Sequence, residues 1–184
     1  MGLQTRNVNN AVPRPGVGST SGSGIGINSD IVSIGNIGSS KRMQFTAIGD
    51  GVNLSSHLKD VSKEYGCDIA IGESTFKPCG DRIWYSELDQ IRVKGKTEPV
   101  KIYELVGLKS EPLEENKQEI IDLYHKGRKY YLNRKFTRAM GEFGTILEDI
   151  SQDKASALYL ERCQQYLKNP PPDDWDGVYG YNTY

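Results

Sequence analysis

Cysteine, histidine and long apolar runs are scarce in this sequence, and neither charge sign dominates. There are 3 cysteines and 2 histidines in 184 residues. Cys67, Cys79 and Cys163 are odd in number and match no zinc spacing, so three reduced thiols are expected. With His57 and His125 as the histidines, no His/Cys metal cluster can be assembled. No stretch approaches the roughly 18 continuous apolar residues of a spanning helix. The N-terminus has no apolar h-region of a secretory signal. A formal net charge of -1 gives no electrostatic case for nucleic acid or an anionic membrane surface. The chain is therefore expected to be soluble and cytoplasmic, either free or peripheral to a membrane complex, without a transmembrane segment or a nucleic-acid partner.

Acid is absent from residues 1–23, which carry Arg6 and Arg14 among Gly, Ser, Asn and Pro. A transit peptide shares that composition, but Gly, Asn and Pro spoil any amphipathic helix. Such a segment has little to bury against its ordering entropy and reads as a flexible arm.

What is present begins at residue 24. Residues 24–108 read as alternating strands and helices. Ile25, Ile27, Ile31, Val32 and Ile34 form an apolar β-prone run. Asp50 is placed as the N-cap of a helix, with Leu54, Leu58, Val61 and Tyr65 as its buried stripe and Gly66 past its last turn. Asp68–Ile71 is a short strand, and Ser74–Lys77 a turn or short helix stopped by Pro78. Trp84–Leu88, Ile91–Val93 and Val100–Val106 are strands, the last two flanking the turn-rich segment Lys94–Pro99.

Residues 113–184 read as helical. Ile120, Leu123, Gly127 and Tyr130 mark one helix, and Phe136, Ala139, Phe143 and Leu147 a second. Ala155–Leu167 is a third, with Ala157, Leu160 and Tyr166 apolar. Pro170, Pro171 and Pro172 end the helices, and Trp175 and Val178 lie in the final segment. Gly127, Tyr130, Ala139 and Phe143 fall where a tetratricopeptide repeat (TPR) keeps its small and aromatic residues. The alternative is a simple helical extension packed on the preceding part. Either way this part is a packing or docking element.

The pieces GIGINSDIVSIGNIGSSKRMQFTAIGDGVNLSSHL and VKGKTEPVKIYELVG, between Gly24 and Gly107, resemble the second half of a class III adenylate/guanylate cyclase catalytic domain. YLERC and PPPDDWDGV resemble the tail that follows this domain in cyanobacterial adenylate cyclases. The resemblance implies an α+β fold: an incomplete ferredoxin-like cyclase-homology domain over 24–108, then a small all-α TPR-like module over 113–184. In that family a dimer holds ATP between subunits. One face supplies two metal-binding Asp residues; the other supplies an adenine-reading residue, a ribose-orienting Asn and a charge-stabilising Arg. By this resemblance Thr46 stands near the adenine, Asn53 at the ribose, and Lys94 or Lys96 at the phosphates.

His57 stands where the family has its Arg, four residues after Asn53, so both lie on one helix face. Histidine has no guanidinium fork, and loss of one transition-state donor costs about 3–4 kcal/mol. The family's metal-binding Asp residues precede the part seen here, and Asp30 and Asp50 do not stand at those positions. No metal site and no bound cofactor are therefore expected, with Mg2+ or Mn2+ entering only if a partner supplies carboxylates. Asn53 and His57 read as vestiges of a catalytic set. The exposed edge and apolar face left by half a domain are expected to be covered by another chain or by the helical part.

Two functions from different classes follow. The first is a catalytically incomplete, cyclase-derived pseudoenzyme acting as a binding or scaffold subunit of a larger assembly, with weak ATP binding at most. The second is a half-site subunit, or a fragment, of an active adenylate cyclase converting ATP to cyclic AMP and pyrophosphate, with a complete cyclase domain as partner.

Overall fold

Strand-forming runs and one amphipathic helix build the first part of the chain. The computed structural model describes residues 24–39, 42–92 and 98–179. The expectations for the arm 1–23 and for Lys94 and Lys96 lie outside the described residues. The elements are β1 (Ile25–Ile27), β2 (Ser33–Ser39), β3 (Arg42–Ile48), α1 (Asp50–Tyr65), β4 (Ile69–Gly72), α2 (Glu73–Phe76), β5 (Ile83–Ile91), β6 (Val100–Leu108), α3 (Lys117–Leu132), α4 (Phe136–Asp149) and α5 (Lys154–Lys168). This is an α+β arrangement.

One sheet has the order β1-β4-β6-β5, with β1 parallel to β4 and the other pairs antiparallel. β2 and β3 form a separate antiparallel hairpin in which Asn36 faces Phe45 and Gly35 faces Thr46. Helix α1 lays Leu54, Leu58, Val61 and Tyr65, all at most 4% exposed, into a core shared with Ala70, Leu88 and Ile102. Burying Leu54, Leu58 and Val61 contributes about 1.5–3 kcal/mol each. At Gly26 a side chain would meet the backbone of Leu58, so glycine there lets β1 lie against α1.

The helical part joins the same core. Tyr124, Tyr131, Phe136, Ala139, Phe143, Ile146, Tyr159 and Cys163 belong to one continuous apolar cluster with the α1 and sheet residues. Burial pushes the Cys163 thiol up to about 12 and raises that of Cys67 as well; all three cysteines are free thiols. Trp175 packs at 5.2 Å on both Tyr131 and Tyr166, so the final segment covers one end of the helices as expected.

Several local expectations are corrected. Gly49, not Asp50, is the N-cap of α1; Asp50 occupies the first turn, where its charge favours the helix dipole. The run from Ile25 to Ile34 is two strands with residues 28–32 between them. Trp84–Leu88 and Ile91 belong to the single strand β5, interrupted by a register shift between Glu87 and Asp89. In α3 the fully buried stripe is Ile121, Tyr124, Gly127 and Tyr131, one residue round from Ile120, Leu123 and Tyr130, which are partly buried. In α4 it is Ile146 rather than Leu147 that is fully buried. In α5 Ala155, Tyr159 and Cys163 are buried, while Ala157 is exposed. In α3 and α5 the buried stripe includes Tyr124, Arg128, Tyr159 and Arg162, whose polar ends bond to β5, so it is less apolar than its neighbour.

As the last strand of its sheet, β5 has one side without a neighbouring strand. Helix side chains take that place. The Glu87 N–H donates to His125 Nε2 at 3.0 Å. The Leu88 carbonyl accepts from Arg128 Nη1 at 2.7 Å, Tyr159 Oη at 2.9 Å and Tyr124 Oη at 3.2 Å. The register shift leaves Leu88 and Asp89 both buried. The Asp89 carboxylate accepts from Arg162 Nη1 at 2.7 Å, from Tyr159 Oη at 3.0 Å and from Tyr65 Oη. Arg128 Nη1 lies 3.7 Å from it. One carboxylate thus ties α1, β5, α3 and α5 together.

Burial alone would raise the Asp89 carboxyl, but Arg162 and then Arg128 hold it below the usual carboxylate range. Its stabilisation is complete above the ordinary aspartate value and is lost as pH falls through the lower folded one. Asp89→Asn leaves two buried arginines short of a counter-charge. The expected loss is about 3–5 kcal/mol, read as a lowered urea midpoint. His125 is held below the ordinary histidine value by burial, with Glu87 opposing and Arg128 reinforcing the shift. The contribution of neutral His125 is complete above the unfolded value, about 6.5, and declines as pH falls through the lower folded value. Denaturant titrations should show wild-type stability falling across that window, and His125→Gln, which keeps an acceptor but does not titrate, should remove that part of the slope.

Candidate functional site

The outer face of α1 carries Asn53 and His57. Leu54 and Leu58 point into the core, so the residues one step before each face outward. Asn53 is exposed and His57 half-exposed. The Asn53 amide makes no hydrogen bond among the described residues. Thr46 is exposed on β3, opposite Gly35, three residues before the Gly49 cap that turns the chain into α1. The structure therefore brings Asn53 and His57 onto one helix face and puts Thr46 on the strand leading into that helix.

The elements that precede α1 expose apolar side chains. Ile34, Phe45 and Ile48 on the hairpin are 60%, 74% and 55% exposed, and Ile31 before it is 95% exposed. On β1, Ile25 and Ile27 are also exposed, next to the open side of the sheet. The helical part covers the β5 side and leaves this side uncovered among the described residues.

Among the described residues, Asp30 and Asp50 are the acids up to the start of α1, and each has a local role. Asp30 Oδ1 accepts from the Ile31 N–H at 2.8 Å, and Asp50 lies in the first turn of α1. Among the described residues no group of three or more His, Cys, Asp or Glu side chains is placed to hold a metal. No helix among them is long and apolar enough to cross a membrane.

Known proteins are similar to this sequence over part of its length. The chain is 34% identical over 148 residues, 79% of its length, to the terminal-differentiation-specific adenylate cyclase of Dictyostelium discoideum. It is 39% identical over 85 residues, 45% of its length, to an adenylate cyclase of Anabaena cylindrica. It is 32% identical over 83 residues, again 45% of its length, to adenylate cyclase 1 of Rhizobium meliloti. The chain is homologous to class III adenylate cyclases.

The Dictyostelium match is longer than residues 1–108 together, so the homology runs into the helical part. The chain spans only 7%, 17% and 12% of the lengths of these three relatives, in the order given. No family model matches it. Among solved structures, the adenylyl cyclase CyaB from P. aeruginosa is 38% identical over 44% of this chain and 40% of its own, with a TM-score of 0.39. A guanylyl cyclase is 32% identical over 50% of this chain and 45% of its own, with a TM-score of 0.38.

The junction of β5 with α3 and α5 holds a second set of polar residues to which the sequence analysis gave no role: Glu87, Asp89, His125, Arg128 and Arg162. The available signal was weak: Arg128 and Arg162 sit beside Gly127 and Cys163, next to the small positions of their helices.

Because Asn53 faces outward and its side-chain amide makes no hydrogen bond among the described residues, Asn53→Ala should leave the thermal midpoint of the isolated chain unmoved, with a stability change inside about ±0.5 kcal/mol. A larger loss in calorimetry would make Asn53 a structural residue.

Proposed function

We propose that the chain is a binding subunit derived from a class III cyclase, which docks on a second cyclase-type polypeptide through the β2–β3 hairpin and the open edge of β1. The supporting observation is the exposed apolar surface: Ile31, Ile34, Phe45 and Ile48 are each more than half exposed, and β1 has an edge unpaired among the described residues. Exposed apolar surface and open edges mark association sites. The helical part is the docking scaffold on the far side, and its TPR-like character rests on the close contact of Gly127 with the Phe143 ring. Alone, the chain is proposed to bind ATP weakly and to make no cyclic AMP.

The unengaged Asn53 amide favours a second reading. Asn53, His57 and Thr46, with Lys94 or Lys96, would face a nucleotide held partly by the partner. The partner's carboxylates would carry the Mg2+ or Mn2+ that activates the ribose hydroxyl and neutralises the triphosphate.

The test is association of the full chain with a complete adenylate cyclase domain, followed by sedimentation. Wild type should co-sediment, and Ile34→Glu with Phe45→Glu should not, while both keep the same thermal midpoint. Equal co-sedimentation of the charged variant would remove the docking surface. In the mixture, cyclic AMP formation that drops with Asn53→Ala supports the half-site reading. Cyclic AMP output indifferent to that change supports the scaffold reading. Replacing His57 by Arg restores the guanidinium and should raise output by about a hundredfold in the half-site case.

A further inference from the structure

The docking of α3 on β5 and β6 leaves an open-sided cavity of about 290 Å3. Tyr85 and Glu87 of β5 and Lys101 of β6 form one wall. His125, Arg128, Lys129 and Leu132 of α3 form the other. None of the residues of the proposed nucleotide face lines it. A volume of this size lies at the low end for small-molecule sites, which favour junctions between packed units.

The chemistry of the lining is one-sided. Lys101 Nζ and Arg128 Nη2 converge on the same Glu87 oxygen, at 3.5 and 3.1 Å. Lys129 adds a third cation that pairs with no carboxylate among the described residues. Arg128 is 3% exposed and fixed from behind by the Leu88 carbonyl and Tyr159 Oη, so its charge cannot turn away to solvent. His125 spends Nε2 on the Glu87 N–H, which leaves Nδ1 as the protonated nitrogen, a donor. Tyr85, whose ring centroid is 5.5 Å from that of His125, and Leu132 supply flat and aliphatic surface. Among the lining residues three cations face one carboxylate, with Asp89 lying 3.7 Å behind Arg128 Nη1; the remaining excess of positive charge, partly shielded from water, favours a negative guest. A buried guanidinium beside an ammonium suits carboxylate or phosphate oxygens.

We propose that this cavity is a binding site for a small organic anion: a carboxylate or phosphate head on a short aromatic or aliphatic body. The head lies among Lys101, Lys129 and the exposed edge of the Arg128–Glu87 pair, and the body lies against Tyr85 and Leu132. Because both walls contribute, an occupant holds the helical part to the sheet.

The chain has 2 histidines, and one of them lines the cavity, which provides a local reporter. Full-length protein is titrated with phenyl phosphate and, separately, benzoate, and the histidine ring resonances are followed by NMR. The His125 signal is assigned as the one missing in His125→Gln. The expected result is a saturable shift of His125 with at least one probe, in the millimolar range, while His57 does not move. Lys101→Gln with Lys129→Gln should weaken that binding by about tenfold or more, the usual effect of losing charged contacts, at an unchanged thermal midpoint. A response to phenyl phosphate alone identifies a phosphate head, and one to benzoate alone a carboxylate. No saturable shift with either probe, equal movement of His57, or an undiminished response in the lysine variant would overturn the proposal. None of these outcomes depends on nucleotide binding or on a cyclase partner.

Discussion

The buried carboxylate of Asp89 is the point on which the rest of the molecule depends. It sits on a strand that has lost its regular register, and it is met by two arginines and two tyrosines from three helices. A charge in such a place is tolerated only because every partner is present at once. The same donors, Arg128 and Tyr159, also cap the Leu88 carbonyl. The helices therefore finish the sheet edge with side chains where another strand would have used backbone. That is why two segments that look separable in sequence share one core.

The two edges of the sheet consequently differ in kind. The β5 edge is closed by helices, which bond to the Glu87 N–H, the Leu88 carbonyl and the Asp89 carboxylate, and its neighbour α3 leaves a charged cavity. The β1 edge and the β2–β3 hairpin carry exposed isoleucines and Phe45. That contrast, one edge closed over buried charges and the other apolar and open, is what supports the proposed docking on the open side. The Asn53 and His57 face of α1 follows directly from that hairpin in sequence, so whatever covers the apolar surface also lies near those residues along the chain.

The fold class was legible because periodic apolar residues wrote it directly. The α1 stripe of Leu54, Leu58, Val61 and Tyr65 and its stop at Gly66 are where the pattern puts them. The strands read over Asp68–Ile71 and Val100–Val106 correspond to β4 and β6. Helix α3 was misjudged by one residue because its buried face is Tyr124, Arg128 and Tyr131 rather than aliphatic, and an arginine in a helix normally signals solvent. The bulge in β5 was invisible because nothing local marks it; it is set by Asp89 turning towards Arg162. Of the candidate site, Asn53, His57 and Thr46 were found through family resemblance, and their outward placement agrees with helix and strand geometry. The cavity at the junction could not be read, since Lys101 and Lys129 meet only when two distant segments dock.

Native-state hydrogen exchange on the isolated full chain tests the unequal edges most directly. The Glu87, Asp89 and Gln90 amides should exchange only through global unfolding, because helix side chains close that edge. Amides of the β2–β3 hairpin should exchange orders of magnitude faster, through local opening, and slow when a docking polypeptide is added. Fast exchange along β5, or a hairpin already protected to the global limit in the isolated chain, would contradict a molecule closed at one edge and open at the other.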